Sequence, residues 1–518
     1  MFKFNFKQFI QILSDNMIPL YQPKSRNYEE SIKSLLSLQS NASTMTSWIN
    51  ERKFNKAESE KKLRDELVQC IDIMDIDLGK QQVIHVAGTK GKGSTCALTE
   101  SILRNQGFTT GLFTSPHLIS PRERIRINGQ EISKEKFSQY FWMCWDKLIT
   151  GPHGQFNLPF FRFLTVMALK VFQEEGVNCT VLEVGIGGRV DSTNIIPQPV
   201  VTGISSLGYD HMNVLGNTLA EIASEKAGIM KPGIPVFTVP QPDEAMQVLK
   251  SNSEKVGSPF SIVPPFEGTL SLEGDHQREN ASLAIALANC FCIKQNSKPI
   301  STIYNQNQNY TLYNYAKNNY NIDYFKPLPE SFIKGLSTCQ WPGRAQYLKY
   351  SDKLELYLDG AHTPESALVC LNWWKSVVNK DGASSNENQQ QSQYILMFTC
   401  TGGRSPKSFL QPFIDAWKNN EIPAFTQILI PEFDDTLKHI TPHSVNESPL
   451  TWEKQIEQVF NQLLDDANIT PRPKIVIEHI QSVIQYCTNQ SKSSNIKVLS
   501  TGSLYLIGGL LKSIQGDE

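Results

Sequence analysis

Gly88-Thr89-Lys90-Gly91-Lys92-Gly93-Ser94-Thr95 crowds glycines, lysines and hydroxyls into one short stretch. The chemistry such a stretch can do is phosphate binding. Glycines let backbone N–H groups turn inward around phosphate oxygens, and the N-terminus of a following helix adds its positive end. Lys92 would reach the terminal phosphates, and Ser94 or Thr95 would face a magnesium shell. The general phosphate-loop spacing, glycine, about four residues, then Gly-Lys-Ser/Thr, is not met. Only two residues separate Gly88 from Gly91, and Gly93 intervenes between Lys92 and Ser94. This is a shortened loop with an inserted glycine. Taken alone, it also suits a glycine-rich turn with solvated lysines.

Other reactive side chains stand where strand-like runs end. Ser115 follows Thr110–Thr114, Glu183 closes the apolar run from Cys179, and Asp210-His211 follows Val200–Ser205. A carboxylate inside an apolar run needs a partner. Hydroxyl, carboxylate and imidazole beside a triphosphate make a magnesium shell, since that ion keeps several waters and takes few protein ligands. Histidine is an unusual magnesium ligand, so on chemistry alone His211 equally suits a hydrogen-bonding loop residue. Gly185-Ile186-Gly187-Gly188-Arg189 adds flexible backbone and a cation just after Glu183. Lys226, in a helical pattern, reads as a solvated lysine. Further on, Arg344 of Trp341-Pro342-Gly343-Arg344 suits a phosphate. Asp359 of Leu358-Asp359-Gly360-Ala361-His362-Thr363-Pro364 can accept from ribose hydroxyls. If both bind one nucleotide, two domains share the site. The alternative is an ordinary turn with Pro364 at a first helical position.

The elements that must position these residues alternate between strand and helix. Val83–Ala87 precedes the glycine-rich loop, and Cys96–Arg104 reads as the helix after it. Helical patterns cover about 57–76, Pro159–Glu175, 218–230 and 277–292; Pro235–Val239 is a further strand. Arg122–Gly129 suggests alternation ending in an Asn-Gly turn. A second series follows, with strands at Leu354–Leu358, Tyr394–Phe398, Gln427–Ile430, Lys474–Ile477 and Ile496–Leu499 and a last helix over about 503–514. Asn, Gln and Tyr dominate Lys294–Tyr324, which reads as an insertion near a domain boundary, and polar Asn379–Gln393 reads as a surface loop. Alternating strands and helices imply a largely parallel α/β sheet covered on both faces. In such sheets ligands sit at the carboxyl ends of the strands, where the candidate residues fall.

Composition narrows the function. At 518 residues the chain is too long for one ordinary core, and two domains are expected. With 40% hydrophobic and 19% charged residues and a net charge of −2, it is globular and carries no basic stripe for nucleic acid. No apolar run is long enough for a membrane span, which argues against stable membrane insertion. The ten cysteines are scattered, with Cys290-x-Cys292 the closest pair, so neither a zinc ribbon nor a disulfide framework is indicated. Cys179 and Cys290, in apolar runs, read as core thiols of a reducing compartment. Met1–Ile10 lacks the apolar stretch of a secretory signal. It reads as a tail or an organelle-targeting segment, with Met17 as an alternative start.

Taken together the motifs resemble the folylpolyglutamate synthases in family order. The matches are Gly88–Thr95 with its inserted glycine, Ser115-Pro116-His117-Leu118 and Arg122–Gly129, Leu182–Asn194, Leu207-Gly208-Tyr209-Asp210-His211 and Glu225-Lys226-Ala227-Gly228-Ile229. His276–Ala281, Trp341–Arg344, Asp359–His362 and Thr501-Gly502-Ser503-Leu504 follow. The Arg-Glu-Arg-Ile-Arg form is similar to the eukaryotic branch, and the broader relatives are the Mur ligases.

The resemblance implies a fold and a reaction. The fold is an N-terminal P-loop ATPase domain over 26–338, with a polar insertion at about 295–325, and a smaller Rossmann-like ligase domain over 339–518. Residues 1–25 form the tail. The reaction is ATP-dependent addition of L-glutamate to the γ-carboxyl of (tetrahydro)folate polyglutamates through an acyl phosphate, which retains folates for one-carbon metabolism. It implies Ser115, Glu183 and His211 as magnesium ligands. Gly88, Thr89, Gly91, Lys92, Gly93, Ser94, Asn280, Arg344 and Asp359 are implied as ATP contacts. Lys92, Glu183, His211, Lys226 and His362 are implied as the catalytic set, His362 meeting incoming glutamate at the inter-domain face. Lys226 matches a lysine that is carbamylated in bacterial relatives, where it helps hold a second magnesium. A monovalent cation such as K+ is a further expected cofactor, and a cytoplasmic or mitochondrial monomer is expected. Gly403 stands where the family pattern carries an acid. Dihydrofolate synthase activity, alone or in addition, and a nucleotide-gated binding protein or NTPase switch are the alternatives.

Overall fold

The computed structural model describes residues 23–38, 56–151, 156, 158–295, 328–383, 392–400, 404–433 and 451–515. Most of the expected tail, the Asn-rich stretch from 296 to 325, and Gly403 lie outside them.

Two sheets organise the described chain. The first has eight strands in the order β4-β3-β2-β5-β1-β6-β7-β8. They are β1 (Val83–Ala87), β2 (Thr110–Phe113), β3 (Ile125–Ile127), β4 (Gln130–Glu131), β5 (Cys179–Glu183), β6 (Val201–Ile204), β7 (Val236–Thr238) and β8 (Phe260–Ile262). All neighbouring pairs from β2 to β8 are parallel, while β3 and β4 add antiparallel at one edge. Every residue of β1, β2, β5, β6 and β7 is buried, as expected of strands covered on both faces. One face packs the aromatic helices Lys134–Leu148 and Phe160–Glu174, with Phe141, Trp145 and Phe163 in mutual ring contact. The opposite face packs helices Lys92–Asn105, His276–Lys294 and Glu330–Thr338.

The second sheet has six strands in the order β13-β12-β11-β14-β10-β9. They are β9 (Gln346–Ser351), β10 (Leu354–Leu358), β11 (Gln393–Phe398), β12 (Phe425–Glu432), β13 (Lys474–His479) and β14 (Ile496–Thr501). All pairs are parallel except β9 with β10. A separate core fills each face.

Helix Asp243–Val256 and strands β8 and β9 are absent from the sequence reading, and three further differences lie nearer the candidate residues. Helix Pro364–Ala383 takes the first residues of the loop expected from Asn379. Pro121–Arg124 is a short 3-10 turn capped reciprocally by Ser120 and Glu123, so the expected alternation is confined to β3. Helix Lys134–Leu148 lies outside the elements read from sequence, although Phe137, Phe141, Cys144, Trp145 and Leu148 recur at helical spacing after the N-cap Ser133.

Candidate active site

Three adjacent strands deliver the site. β1 lies between β5 and β6, with Val86 paired to Glu183 and Ala87 to Ile204. Their carboxyl ends therefore set the glycine-rich loop, the Glu183 carboxylate and the segment 205–211 side by side. This is the crevice at which open α/β sheets bind ligands.

The loop is held from β6. Thr89 and Lys90 both donate their amides to the Ser206 carbonyl, at 2.9 and 3.0 Å, and the Ser205 hydroxyl donates to the Lys90 carbonyl at 2.7 Å. Gly91 then adopts φ +83° at the N-cap of helix Lys92–Asn105. A Cβ there would run into the Asn280 side chain. Asn280 is buried on helix His276–Lys294, donates to Gln277 at 2.9 Å, and braces the loop. The amides of Lys92, Gly93 and Ser94 begin the helix and have no carbonyl one turn back, so they are free to bind an anion. The Lys92 ammonium curls back to 3.5 Å from the Thr89 carbonyl.

Glu183 is 3% exposed, and its Oε2 accepts the Ser115 amide at 2.8 Å. Burial raises its pKa, while Lys92, the Ser115 amide, Arg344 and Arg124 pull it back. Lys92, Arg344 and Arg124 already compensate this buried carboxylate, so a divalent cation there has to arrive with the negative charge of bound phosphates. Among the described residues no cluster of three or more His, Cys, Asp or Glu side chains forms a metal cage. Ser115 follows β2, Glu183 closes β5 and His211 follows β6, and a hydroxyl, a carboxylate and an imidazole are the groups there that could hold an ion that keeps its waters.

On the β6 side, Lys90 pairs with Asp210 at 3.0 Å. His211 stands at φ +51°, its imidazole about half exposed. Partial burial lowers its pKa against Asp210, and Lys92, Lys226 and Lys90 lower it further. Lys226 corrects the solvated reading. It is 4% exposed and donates to the Gly88 carbonyl at 2.7 Å. Burial, then Lys92, brings its pKa down to about 7.

The second sheet contributes from β10. Asp359 accepts the Ala345 amide at 2.8 Å on one oxygen and the Ala361 amide at 2.9 Å on the other. Ala345 has φ +45°, a strained conformation for alanine, and it follows Arg344. His362 Nδ1 lies 2.8 Å from the Gly360 carbonyl and so must carry the proton, leaving Nε2 as an acceptor. Burial, Lys90 and Arg404 drive its pKa down to about 3. The charges of Lys90 and Arg344 both act on His362, so groups from both halves lie within electrostatic reach of it.

Several supporting residues carry no role in the sequence reading. Glu123 accepts the amides of Leu118, Ile119 and Ser120, fixing the loop after Ser115. Arg124 is buried and donates to His117 Nδ1 at 2.9 Å, with Tyr505 of the second half beside it. Asp191 accepts the amides of Gly185, Ile186 and Thr193 and the Thr193 hydroxyl, and that hydroxyl meets buried His85 at 2.8 Å. Such backbone staples depend on local geometry. Their sequence signal is only an acid a few residues from a glycine-rich or polar loop.

Known proteins share this sequence and fold. A family model described as "Dihydrofolate synthetase, C-terminal domain" matches residues 345–513. A relative from Dictyostelium discoideum that carries the folylpolyglutamate synthase name is 49% identical over 552 residues, covering 95% of this chain and 87% of that one. The Homo sapiens "Folylpolyglutamate synthase, mitochondrial" is 40% identical over 409 residues, covering 76% and 67%. The solved FPGS–AMPPCP–folate complex shares the fold with a TM-score of 0.62 at 21% identity, covering 95% and 100%.

Proposed function

We infer the reaction from two premises: the chain belongs to the folylpolyglutamate synthase family, and the ends of β5, β1 and β6 set a glycine-rich helix start beside a buried carboxylate. The chain is an ATP-dependent ligase that adds L-glutamate to the γ-carboxyl of folates. The observation that carries the reading is the glycine-rich loop set beside buried Glu183 at the ends of paired strands, with Trp341 of the connection to the second sheet against Gly93.

A carboxylate is a poor electrophile at neutral pH. Its oxygen attacks the γ-phosphorus of ATP, the bond to ADP breaks, and an acyl phosphate results. The amides at 92–94 hold the phosphates. Lys92 and Arg344 neutralise charge spreading over the transferred group, for which positioning and electrostatics are the main needs. The glutamate amine then attacks the acyl carbon and phosphate leaves. His362, neutral with a free Nε2, accepts an N–H of the incoming glutamate. Its low pKa makes it a binding group rather than a strong base. The nucleotide-binding unit extends to about residue 338, and the glutamate unit starts at about 339.

Glu183, His211 and Ser115 would hold magnesium, which would supply charge neutralisation on the phosphates. A monovalent cation such as K+ is a further cofactor to test. Lys226, its amine brought close to neutrality, is in the form that takes up carbon dioxide, and intact mass with and without bicarbonate reads that carbamate. The location is cytosolic or mitochondrial, the latter supported by the mitochondrial relative's name. No described helix is long and apolar enough to cross a membrane. The working unit is a monomer.

Mass spectrometry of tetrahydrofolate incubated with ATP, magnesium and glutamate tests the reading. Product should gain glutamate residues, and Lys92→Ala should abolish this while its circular dichroism stays unchanged. Near-normal turnover of Lys92→Ala refutes the phosphate-loop role. ATP hydrolysis independent of folate and glutamate would instead mark an NTPase switch. The family-model description favours a second reading, dihydrofolate synthase activity alone or in addition, which dihydropteroate as acceptor decides.

A further inference from the structure

The inserted glycine of the phosphate loop has a partner in the chain that joins the two sheets. Gly93 is not in a left-handed conformation, so backbone freedom does not account for it. Space does. A Cβ at Gly93 would lie 3.2 Å from Trp341 Cζ2, 3.3 Å from Trp341 Nε1 and 3.5 Å from Glu183 Oε2. The first two are tighter than ordinary carbon contacts. The indole therefore rests on the Gly93 backbone at the first turn of the loop helix, with the Glu183 carboxylate beside it.

Trp341 is itself held. It packs against the core beneath the phosphate-loop helix. The Arg126 guanidinium stands over its ring at 5.2 Å, and Arg126 is anchored by donating Nε to the Glu123 carbonyl at 3.3 Å. Glu123 is the same residue that fixes the loop after Ser115. Trp341 lies between helix Glu330–Thr338 and β9, just before Arg344, whose charge acts on Glu183, Lys90 and His362.

We propose that Trp341 is a positioning residue for phosphoryl transfer. Its indole plate walls the phosphate site at Gly93 against water and sets the connection so that Arg344 enters the same site. It rests on the reading of Gly88–Ser94 as the ATP phosphate site. The side reaction it suppresses is water attack on the γ-phosphorus. The water oxygen bonds to phosphorus, the bond to ADP breaks, the proton leaves with inorganic phosphate, and no amide forms. Excluding water is a recognised function of closed acyl-transfer sites. The contact also explains why residue 93 has no side chain.

The test measures ADP release and glutamate incorporation in parallel, in the full-length enzyme with ATP, magnesium, tetrahydrofolate and glutamate. In the parent enzyme the two should match. In Trp341→Ala, ADP released per glutamate added should rise about tenfold or more, with a smaller rise in Trp341→Phe, which keeps a ring. If ligation falls in Trp341→Ala with the ratio unchanged, or if both stay within twofold of the parent, the proposal is overturned. The second arm remains informative if Trp341→Ala folds poorly. Gly93→Ala should lose about tenfold or more in ligation, and Gly93→Ala with Trp341→Phe should lose less than the two single effects multiplied, because the smaller ring gives the new methyl room. Strictly multiplicative losses refute the contact. Lys92→Ala keeps the readings apart. If it ligates normally, the underlying site assignment fails; if it is inactive while the Trp341 ratios are flat, only this proposal fails.

Discussion

The Lys226 ammonium lies 2.7 Å from the carbonyl oxygen of Gly88 and ties helix Leu219–Ala227 to the mouth of the phosphate loop. Lys226→Met should remove that tie and lower ligation by about tenfold or more, since small displacements of a positioned phosphate site are costly. The pH dependence has a definite sign. The folded pKa is about 7 against an ordinary 10.5. Between those values the unfolded chain holds the proton and the folded chain does not. Stability from this site is therefore fully present above pH 10.5 and lost as pH falls toward 7. Urea midpoints at pH 7 and pH 9.5 check this, because the parent should gain on Lys226→Met as pH rises. Parallel curves would remove the case for a deprotonating lysine.

Lys90 and Asp210 form the second tie between loop and β6 segment. Burial alone would raise the Asp210 carboxyl, but Lys90 and His211 overcome it and hold it well below the usual carboxylate range. Asp210→Asn leaves Lys90 facing Lys92 and Arg344 without its counter-ion. Lys90 is a third exposed, so the cost is discounted to about 1–3 kcal/mol, below that of breaking a fully buried pair. Thermal unfolding should show Asp210→Asn as less stable than the double variant Lys90→Met with Asp210→Asn. The reverse order would mean the pair contributes nothing.

What was legible in the sequence follows from what each residue depends on. β1, β5 and β6 are covered on both faces, so they show as apolar runs, and the reactive residues at their carboxyl ends fall into one crevice once the sheet is parallel. Glu183 could be read as buried because it closes such a run. The burial of Lys226 was legible by spacing, because Leu219, Ile222, Ala223 and Ala227 put it on the apolar face of its helix. Its partner was not, since Gly88 is 138 residues away. Gly93 and Trp341 show the same limit. Each was visible as a motif residue, but only the fold shows that one leaves room for the other. The aromatic helix Lys134–Leu148 is absent from the sequence reading although its spacing marked it.

Asp359 spends both oxygens on backbone amides, one from Ala345 next to Arg344 and one from Ala361 next to His362. It therefore fixes two cleft residues besides any ribose contact. Each charge-assisted bond is worth about 1.5–3 kcal/mol. Asp359→Ala should release the strained Ala345 turn and raise KM for ATP about tenfold or more. Asp359→Asn, which keeps one acceptor oxygen, should fall between. Steady-state kinetics over an ATP series checks the order, and an Asp359→Ala enzyme with parental KM would show that Arg344 is placed by other contacts.

Gly508 faces Leu118 across the seam between the two units. A Cβ on Gly508 would collide with the Leu118 carbonyl oxygen. Leu118 belongs to the loop after Ser115, yet its side chain packs against the core of the second sheet. Helix propensity alone makes Gly508→Ala stabilising by about 1 kcal/mol, because alanine suits the interior of helix Leu504–Gln515. The seam predicts the opposite. The new methyl should push the Ser115 loop away, lowering kcat for ligation by about tenfold to a hundredfold and lowering Tm. The sign of the Tm change separates the two arguments. Leu118→Ala should not rescue Gly508→Ala, since the obstacle is a backbone oxygen that the substitution leaves in place. Full rescue would mean that the side chain, not the carbonyl, sets the spacing of the seam.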